Sequence, residues 1–259
     1  MTLNKIRLLD GKLYDKAELL KRMLDDEFYY GELNRLALSS SSLKTLLSSP
    51  KTYKFSLEYG SPSSQALRDG WLFHTAILEP NVFEAQTFID VQSKNTKKFR
   101  EAKAENPRVF TAKERNDAER LADAFLRNEH AKELIRDSEF EVPVIGEVMD
   151  MPFRGKADVL GKDKIVDLKT TTDIKGFSYS ANKYGYDVQC YLYCNLFQKE
   201  YKDFYFLALD KGSLDIGIFN CSEEFYFRGE EKVEKALDLY NKFFIEGADL
   251  DNYCLTGEL

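Results

Sequence analysis

The sequence lacks the long apolar segments by which membrane proteins are recognised. None of the apolar runs in its 259 residues approaches the roughly 20 residues that an α-helix needs to cross a bilayer. The N-terminal segment MTLNKIRLLDGKLYDK also has no apolar core typical of a signal peptide. We therefore expect a cytoplasmic protein without a membrane partner.

Cysteine is scarce as well. The four cysteines form no C-x-x-C pair, although Cys190 and Cys194 are spaced to lie on one face of a predicted helix. A zinc or iron–sulfur site needs a clearer set of ligands than these two, Cys221 and Cys254 supply. We expect reduced, mostly buried thiols and no iron–sulfur cluster.

Positive charge is in deficit. The chain has 37 Lys and Arg against 44 Asp and Glu, which gives a formal net charge of −7. This balance excludes a protein whose entire surface binds nucleic acid, but it is compatible with a local basic channel. The composition is otherwise that of an ordinary globular protein, and the length is sufficient for one substantial core.

The pattern of secondary structure changes near residue 139. Before it, apolar residues recur at helical spacing and predict helices over 16–25, 38–50, 63–79 and 112–136. After it, the runs EFEVPVIGEV, MPFRGKADVLG and KIVDLKTT predict three strands in an antiparallel meander. A helix over 184–199, strands over 203–210 and 214–221, and a helix over 224–246 follow.

These elements predict a single domain, residues 1–259, of the mixed α/β class. Residues 1–137 form a mainly helical N-terminal part, and residues 138–259 form the sheet-containing core. Strands interspersed with helices are typical of a central mixed β-sheet flanked by helices.

Three charged residues in the meander form the most informative pattern. Asp158 ends the second predicted strand, and Asp167 and Lys169 lie two apart in the third. Side chains two apart on a strand point to the same face, so Asp167 and Lys169 project together while Leu168 points into the core. If the two strands are neighbours, both carboxylates can reach one cation.

These residue types suit phosphodiester hydrolysis. Mg²⁺ is held by carboxylates and water and acidifies a bound water, and a nearby lysine can orient that water or offset charge on the phosphate. The alternative for the D-x-K pair is a solvated charge pair on an edge strand. Because Asp167 follows two β-branched residues in an apparently buried strand, a charge there indicates a partner or an ion.

Further polar residues occupy positions from which they could complete such a site. Glu141 on the first strand is a third carboxylate, with Glu139 as the alternate on the same face; either could instead be a surface residue. His74 lies in an otherwise apolar helix, where a core histidine is the competing interpretation. Gln189 and Tyr193 share one helix face and would stabilise the active site or contact DNA, or simply form a partly buried face.

Together these residues resemble the RecB-like nucleases of the PD-(D/E)XK superfamily. The shared pattern is, in order, Gly70-x-x-x-His74, Glu141, Gly155-x-x-Asp158, Asp167-x-Lys169 and Gln189-x-x-x-Tyr193. The segments LSSSSLKTLLSSPKTYKF and ALRDGWLFHTAILEPNVFEA narrow the resemblance to RecE-type exonucleases of phages and prophages. The resemblance covers residues 38–210.

The resemblance implies a Mg²⁺-dependent exodeoxyribonuclease, with Mn²⁺ able to substitute. Such an enzyme digests linear double-stranded DNA from its ends, 5′→3′, and leaves 3′ single strands for an annealing protein of the RecT type. A ring-like homo-oligomer such as a tetramer, in the cytoplasm of a bacterial or phage-infected cell, is also implied. The sequence has no G-x-x-x-x-G-K phosphate loop, so we expect no use of ATP.

The resemblance also assigns roles to individual residues. The implied metal set is His74, Asp158, Asp167 and Leu168. The implied catalytic set is Lys169, Asp158, Asp167, Glu141, Gln189 and Tyr193.

A basic segment, residues 93–115, is the best candidate for phosphate contacts. The candidate DNA-binding residues are Lys94, Lys97, Lys98 and Arg100, with Lys103 beyond them. The alternative is an ordinary solvated loop. Phe99, within the segment, would either stack on a base or anchor the loop.

Three other functions share parts of this pattern. A structure-selective or single-strand endonuclease of the same fold would have the same acids and lysine. A non-catalytic DNA-binding protein that keeps a relic of the nuclease fold would not need them. A metal-dependent hydrolase of small phosphates is supported only by the metal chemistry.

Overall fold

A computed structural model describes residues 4–60, 62 and 64–254 of the chain, and its N-terminal part is mainly helical. Two short strand pairs, β1–β2 antiparallel and β3–β4 parallel, accompany the helices and were not predicted as sheets. No helix among the described residues has the length and apolarity to cross a membrane. The elements are β1 (Lys5–Arg7), β2 (Leu13–Asp15), α1 (Lys16–Arg22), α2 (Ser40–Ser48), α3 (Pro50–Tyr59), α4 (Gln65–Leu78), α5 (Pro80–Glu84), β3 (Thr87–Ile89), α6 (Lys97–Glu105), β4 (Val109–Thr111), α7 (Ala112–Arg127) and α8 (Glu129–Ile135).

The C-terminal part contains the central sheet. Its elements are β5 (Glu139–Val148), β6 (Met151–Gly161), β7 (Lys164–Thr171), α9 (Phe177–Lys183), α10 (Tyr186–Phe197), β8 (Phe204–Asp210), β9 (Ile216–Asn220) and α11 (Glu223–Tyr240). A π-helical turn, Asn241–Ile245, extends α11. The strand order is β5-β6-β7-β8-β9.

The sheet is mixed, as predicted. β5, β6 and β7 form the antiparallel meander, β7 pairs with β8 in parallel, and β8 pairs with β9 antiparallel. A parallel pair needs a crossover connection, and α9 with α10 provides it. The mixed α/β class with a five-stranded central sheet flanked by helices is confirmed.

Alternation along β7 distributes its side chains between two apolar clusters. Ile165 packs in the cluster that includes residues of α2, α10 and α11. Val166 and Leu168 pack in the cluster that includes residues of α4 and α7. The side chain of Leu168 is therefore buried in the core, on the face opposite to Asp167 and Lys169, as the period of two requires.

Several predicted helix boundaries differ from the observed ones. The cap of α2 is Ser39, which forms a capping box with Ser42, so the helix begins two residues later than predicted. Pro50 begins another helix, α3, because proline at the first helical position leaves no hydrogen bond unmade. The helix predicted over 112–136 divides at Asn128, whose side chain caps α8 by accepting from the Ala131 amide.

Residues 97–105 of the basic segment form a helix, α6, and not a loop. Thr96 caps α6, and Phe99 is 3% exposed on its inner face. Phe99 therefore anchors α6 and cannot stack on a base. The polar sequence concealed this helix because a single buried aromatic gives little periodic signal.

Candidate active site

Asp158 lies where β6 and β7 separate. The two strands pair from Gly161–Lys164 back to Val159–Val166, and the ladder ends there. Beyond that point the Leu168 amide donates to Asp158 Oδ2 at 2.8 Å. A carboxylate thus replaces a main-chain acceptor, and the strands separate at the aspartate.

Glu141 faces Asp158 from the neighbouring strand through an unusual backbone conformation. The pairs Phe140–Val159 and Val142–Ala157 enclose Glu141 and Asp158, which are not themselves paired. Glu141 has φ 51°, a left-handed conformation that is uncommon for a residue other than glycine. The alternate acid, Glu139, is exposed and pairs with Leu160.

His74 completes a group of three potential metal ligands. Its Nδ1 lies 3.4 Å from Asp158 Oδ2. One ligand atom from each of His74, Glu141 and Asp158 lies within 4.8 Å of the other two, a spacing that would allow them to hold a metal ion. We call these three residues the metal group. An imidazole and two carboxylates form a donor set suited to Mg²⁺ or Mn²⁺ at a catalytic site, with water completing the shell.

Asp167 and Lys169 lie beside the metal group, on the face covered by α10. Lys169 Nζ forms an ion pair with Asp167 Oδ2. Gln189, on α10, donates to Asp167 Oδ1 and accepts from Lys169 Nζ at 3.5 Å. Asp167 is 2% exposed, and within the described chain the partner of its Oδ2 is the Lys169 ammonium. A carboxylate oxygen can accept from more than one partner, so Asp167 is a further ligand that fits a cation nearby.

The separation of β6 from β7 brings together groups from helices on opposite faces of the sheet. His74 comes from α4 on one face, whereas Gln189 comes from α10 on the other. In a regular sheet these side chains would be separated by the strands. The separation of β6 from β7 at Asp158 therefore allows His74 and Gln189 to contribute to a single site.

The charges of the site favour a bound cation. Burial, reinforced by the Asp158 carboxylate, raises the pKa of Glu141 to about 8. Burial also raises the pKa of Asp158 to about 6, although His74 opposes the shift. Burial lowers the pKa of Lys169, but the Asp167 and Asp158 carboxylates outweigh it, and the pKa lies above its ordinary value. The carboxylates around Lys169 therefore favour its protonated, ammonium form.

Tyr193 contacts the strand that carries Asp158 and does not reach the metal group directly. Its hydroxyl donates to the Lys156 carbonyl at 3.0 Å and accepts from the Lys156 amide at 3.3 Å. Its ring lies so close to Gly155 that an added Cβ would be 2.9 Å from the ring. Gly155 and Tyr193 are separate positions of the motif, but they contact each other, and this contact positions β6.

Sequence analysis missed two lysines near the site. Lys156 Nζ lies 3.9 Å from Glu141 Oε2 and 3.5 Å from Asp26 Oδ1. The signal for it was available, since Lys156 is two residues before Asp158 on the same strand. Burial, followed by the nearby Lys169, lowers the pKa of Lys44 to about 8. Lys44 was missed because no local sequence pattern indicates that α2 lies near β7.

The structure divides the candidate DNA-binding residues into two kinds. Lys94 was predicted to contact phosphate, and in the structure its ammonium pairs with Glu114 at 2.9 Å and donates to Gln65. Glu114 is 7% exposed, and a buried carboxylate needs that partner. The candidates that remain exposed on α6 are Lys97, Lys98 and Arg100.

A five-stranded mixed sheet with acids and a lysine at a strand separation defines a nuclease-like α/β protein. Residues 39–254 match the family described as "PDDEXK-like domain of unknown function (DUF3799)". Because the match spans most of the chain, the chain belongs to this PDDEXK-like family, and the resemblance to PD-(D/E)XK nucleases is confirmed.

A solved structure shows the same fold. A candidate exonuclease from Eubacterium rectale is 20% identical, with a TM-score of 0.62 over 91% of this chain and 95% of that one. A phage-related exonuclease from Haemophilus somnus 129PT is 16% identical, with a TM-score of 0.36 over 82% of this chain and 96% of that one. The search of curated proteins returned no match.

Proposed function

We propose that this protein is a Mg²⁺-dependent nuclease that hydrolyses phosphodiester bonds of linear double-stranded DNA. The observation that carries the proposal is the juxtaposition of the metal group with Lys169. Three ligand atoms lie within 4.8 Å of one another, and the ammonium stands beside the adjacent Asp167. Membership of a PDDEXK-like family supports a nuclease independently of this geometry.

Each residue has a defined task in this proposal. His74, Glu141 and Asp158 would hold the ion, with Asp167 as a further ligand. A bound Mg²⁺ polarises the phosphate and acidifies water. Lys169 keeps its proton, and its ammonium would orient the attacking water and offset negative charge on the phosphate. Gln189 sets the positions of Asp167 and Lys169 through its amide.

The finer assignment follows the resemblance to RecE-type enzymes. We propose digestion from DNA ends in the 5′→3′ direction, which leaves 3′ single strands for an annealing protein of the RecT type. A ring-like homo-oligomer would provide processivity without ATP, because encirclement keeps the enzyme on its substrate. The cytoplasm of a bacterial or phage-infected cell is the compartment in which such ends and partners occur together.

The decisive experiment compares linear and closed-circular duplex DNA in the presence of Mg²⁺. We expect the linear DNA, labelled at its 5′ or 3′ ends, to be digested and the circle to survive. Lys169→Ala should reduce the rate by about 100-fold or more, because an ammonium aimed at developing charge is lost. The matched control is Lys202→Ala, since Lys202 is exposed and pairs only with Glu200.

Two outcomes would redirect the assignment. Cleavage of the closed circle would identify an endonuclease of the same fold. Digestion that proceeds equally in Lys169→Ala would remove the proposed chemistry, and absence of any cleavage by the unaltered protein would indicate a non-catalytic DNA-binding protein.

A further inference from the structure

Gly70 is one of two glycines inside the α-helices of the described chain, and only the other is explained by packing. An added Cβ at Gly229, on α11, would lie 2.2 Å from the Asp187 carbonyl oxygen, so no larger residue fits. An added Cβ at Gly70, on α4, would meet nothing within 4 Å. Gly70 also has no positive φ that would require glycine.

The fold therefore gains nothing from glycine at position 70. Glycine destabilises the interior of a helix relative to alanine, because the unfolded chain has more freedom to lose. Alanine would fit the space and the backbone. The packing of the described residues therefore does not explain the glycine at this position.

Gly70 lies on the face of α4 that carries the metal group. Residues four apart on a helix share a face, which places Gly70 directly before His74. Leu67, one turn earlier on this face, is 65% exposed, whereas Leu72 and Phe73 on the inner face are fully buried. The face from Leu67 to His74 is thus open to a ligand of the metal group.

A hydrogen bond connects the segment before α6 with the start of α4. Lys94, just before α6, donates to Gln65 at 2.5 Å, which joins the start of α6 to the start of α4. Gln65 and His74 are nine positions apart, or about 14 Å along a helix axis at 1.5 Å per residue. Along the axis of α4, Gly70 lies between this contact and His74.

We infer that Gly70 provides clearance where a nucleic-acid strand crosses α4 beside the metal group. The inference deepens the proposed nuclease function and rests on it. A strand whose phosphate sits at the metal group extends along the helix surface, and a side chain at position 70 would push it outward. Gly70 is accordingly a positioning residue for polymeric substrate.

Two substitutions separate clearance from folding. Gly70→Ala and Gly70→Leu both place a better helix former at the position, so each should raise Tm, by about 2 °C. Cleavage of linear duplex should nevertheless fall with side-chain size, by about 100-fold for leucine, because a small misplacement of the phosphate is costly. Gly229→Ala is the control, with a lowered Tm from its clash.

Two further measurements show where the defect lies. Manganese affinity, measured by titration calorimetry, should be unchanged in Gly70→Leu, and so should cleavage of a p-nitrophenyl phosphodiester, which has no strand to cross α4. Affinity for linear duplex DNA, measured with Ca²⁺ to prevent cleavage, should also fall as the side chain at position 70 becomes larger. Failure of the unaltered protein to cleave either substrate would refute the proposed function, and the Ca²⁺ binding series would still decide the role of Gly70.

Gly70→Leu that binds and cleaves duplex DNA like the unaltered protein would overturn the inference while leaving the nuclease assignment intact. Equal losses of cleavage rate on duplex DNA and on the small diester would also overturn the inference, because they would indicate damage to the metal group.

Discussion

At the scale of single residues, backbone conformation decides which acid belongs to the metal group. Strand alternation placed Glu139 and Glu141 on one face and could not distinguish them. The left-handed φ of Glu141 interrupts β5 opposite Asp158, and this residue alone joins His74. Such conformations cost of order 1–3 kcal/mol and tend to occur at functional sites.

The two histidines of the chain allow a controlled test of the metal group. His74→Ala removes one of three ligands, and we expect Mn²⁺ affinity to fall at least about tenfold, since even residues that only orient ligands contribute that much. His130→Ala removes an exposed histidine on α8 and should leave affinity unchanged. Titration calorimetry measures both, and equal affinities in the two variants would exclude His74 as a ligand.

The raised pKa of Glu141 predicts how stability depends on pH. Its carboxyl group has a pKa of about 8 in the folded chain, against an ordinary value of 4.5. Between these values the folded state retains a proton that the unfolded state has released. The free energy of unfolding of the metal-free protein therefore falls as pH rises through this window, and metal affinity rises because ligands must be deprotonated.

Thermal unfolding in the presence of EDTA, from about pH 5 to about pH 8, tests the sign of this dependence. Glu141→Gln cannot ionise, so its Tm should decline less with pH than that of the unaltered protein. Glu139→Gln changes the exposed acid on the same strand, and its Tm should decline with pH as that of the unaltered protein does. Parallel declines in all three proteins would show that Glu141 has no raised pKa.

At the scale of elements, the features predicted from the sequence are those that depend on periodicity. Features that depend on contacts between distant segments were missed. Alternation in β6 and β7 located Asp158, Asp167 and Lys169 correctly on neighbouring strands. The separation of these strands depends on one side chain, Asp158, replacing a main-chain acceptor, and no local pattern announces it. Contacts such as Lys94 with Glu114 join distant segments and are equally invisible in sequence.

The pairing of Gly155 with Tyr193 illustrates the same division. Both residues were recognised as positions of a motif. Because they are far apart along the chain, the sequence did not show that Gly155 makes room for Tyr193. The absence of a side chain at Gly155 lets the Tyr193 ring lie against β6 and its hydroxyl reach the Lys156 main chain. Two weak sequence signals thus reflect one contact between α10 and the strand that carries Asp158.

At the scale of the whole molecule, net charge and local charge point in different directions. The chain carries −7, yet α6 presents Lys97, Lys98 and Arg100 to solvent near the start of α4. Charges further apart than about 8–10 Å are screened at ordinary ionic strength, so a phosphate near α6 responds mainly to those cations. In the proposed function, the acidic remainder of the surface would discourage DNA from binding elsewhere.

Salt dependence of DNA binding measures this local contribution. Binding to duplex DNA should weaken in the double variant Lys98→Ala/Arg100→Ala, because two cations that displace counterions are lost. The slope of log Kobs against log salt concentration should become shallower by about 1.8, or about 0.9 for each lost phosphate contact. Lys94→Ala is the matched control: Lys94 pairs with the buried Glu114, so its loss should lower Tm and leave the slope unchanged. A slope that is unchanged in the double variant would place the DNA path away from α6, because the released counterions would then belong to another surface.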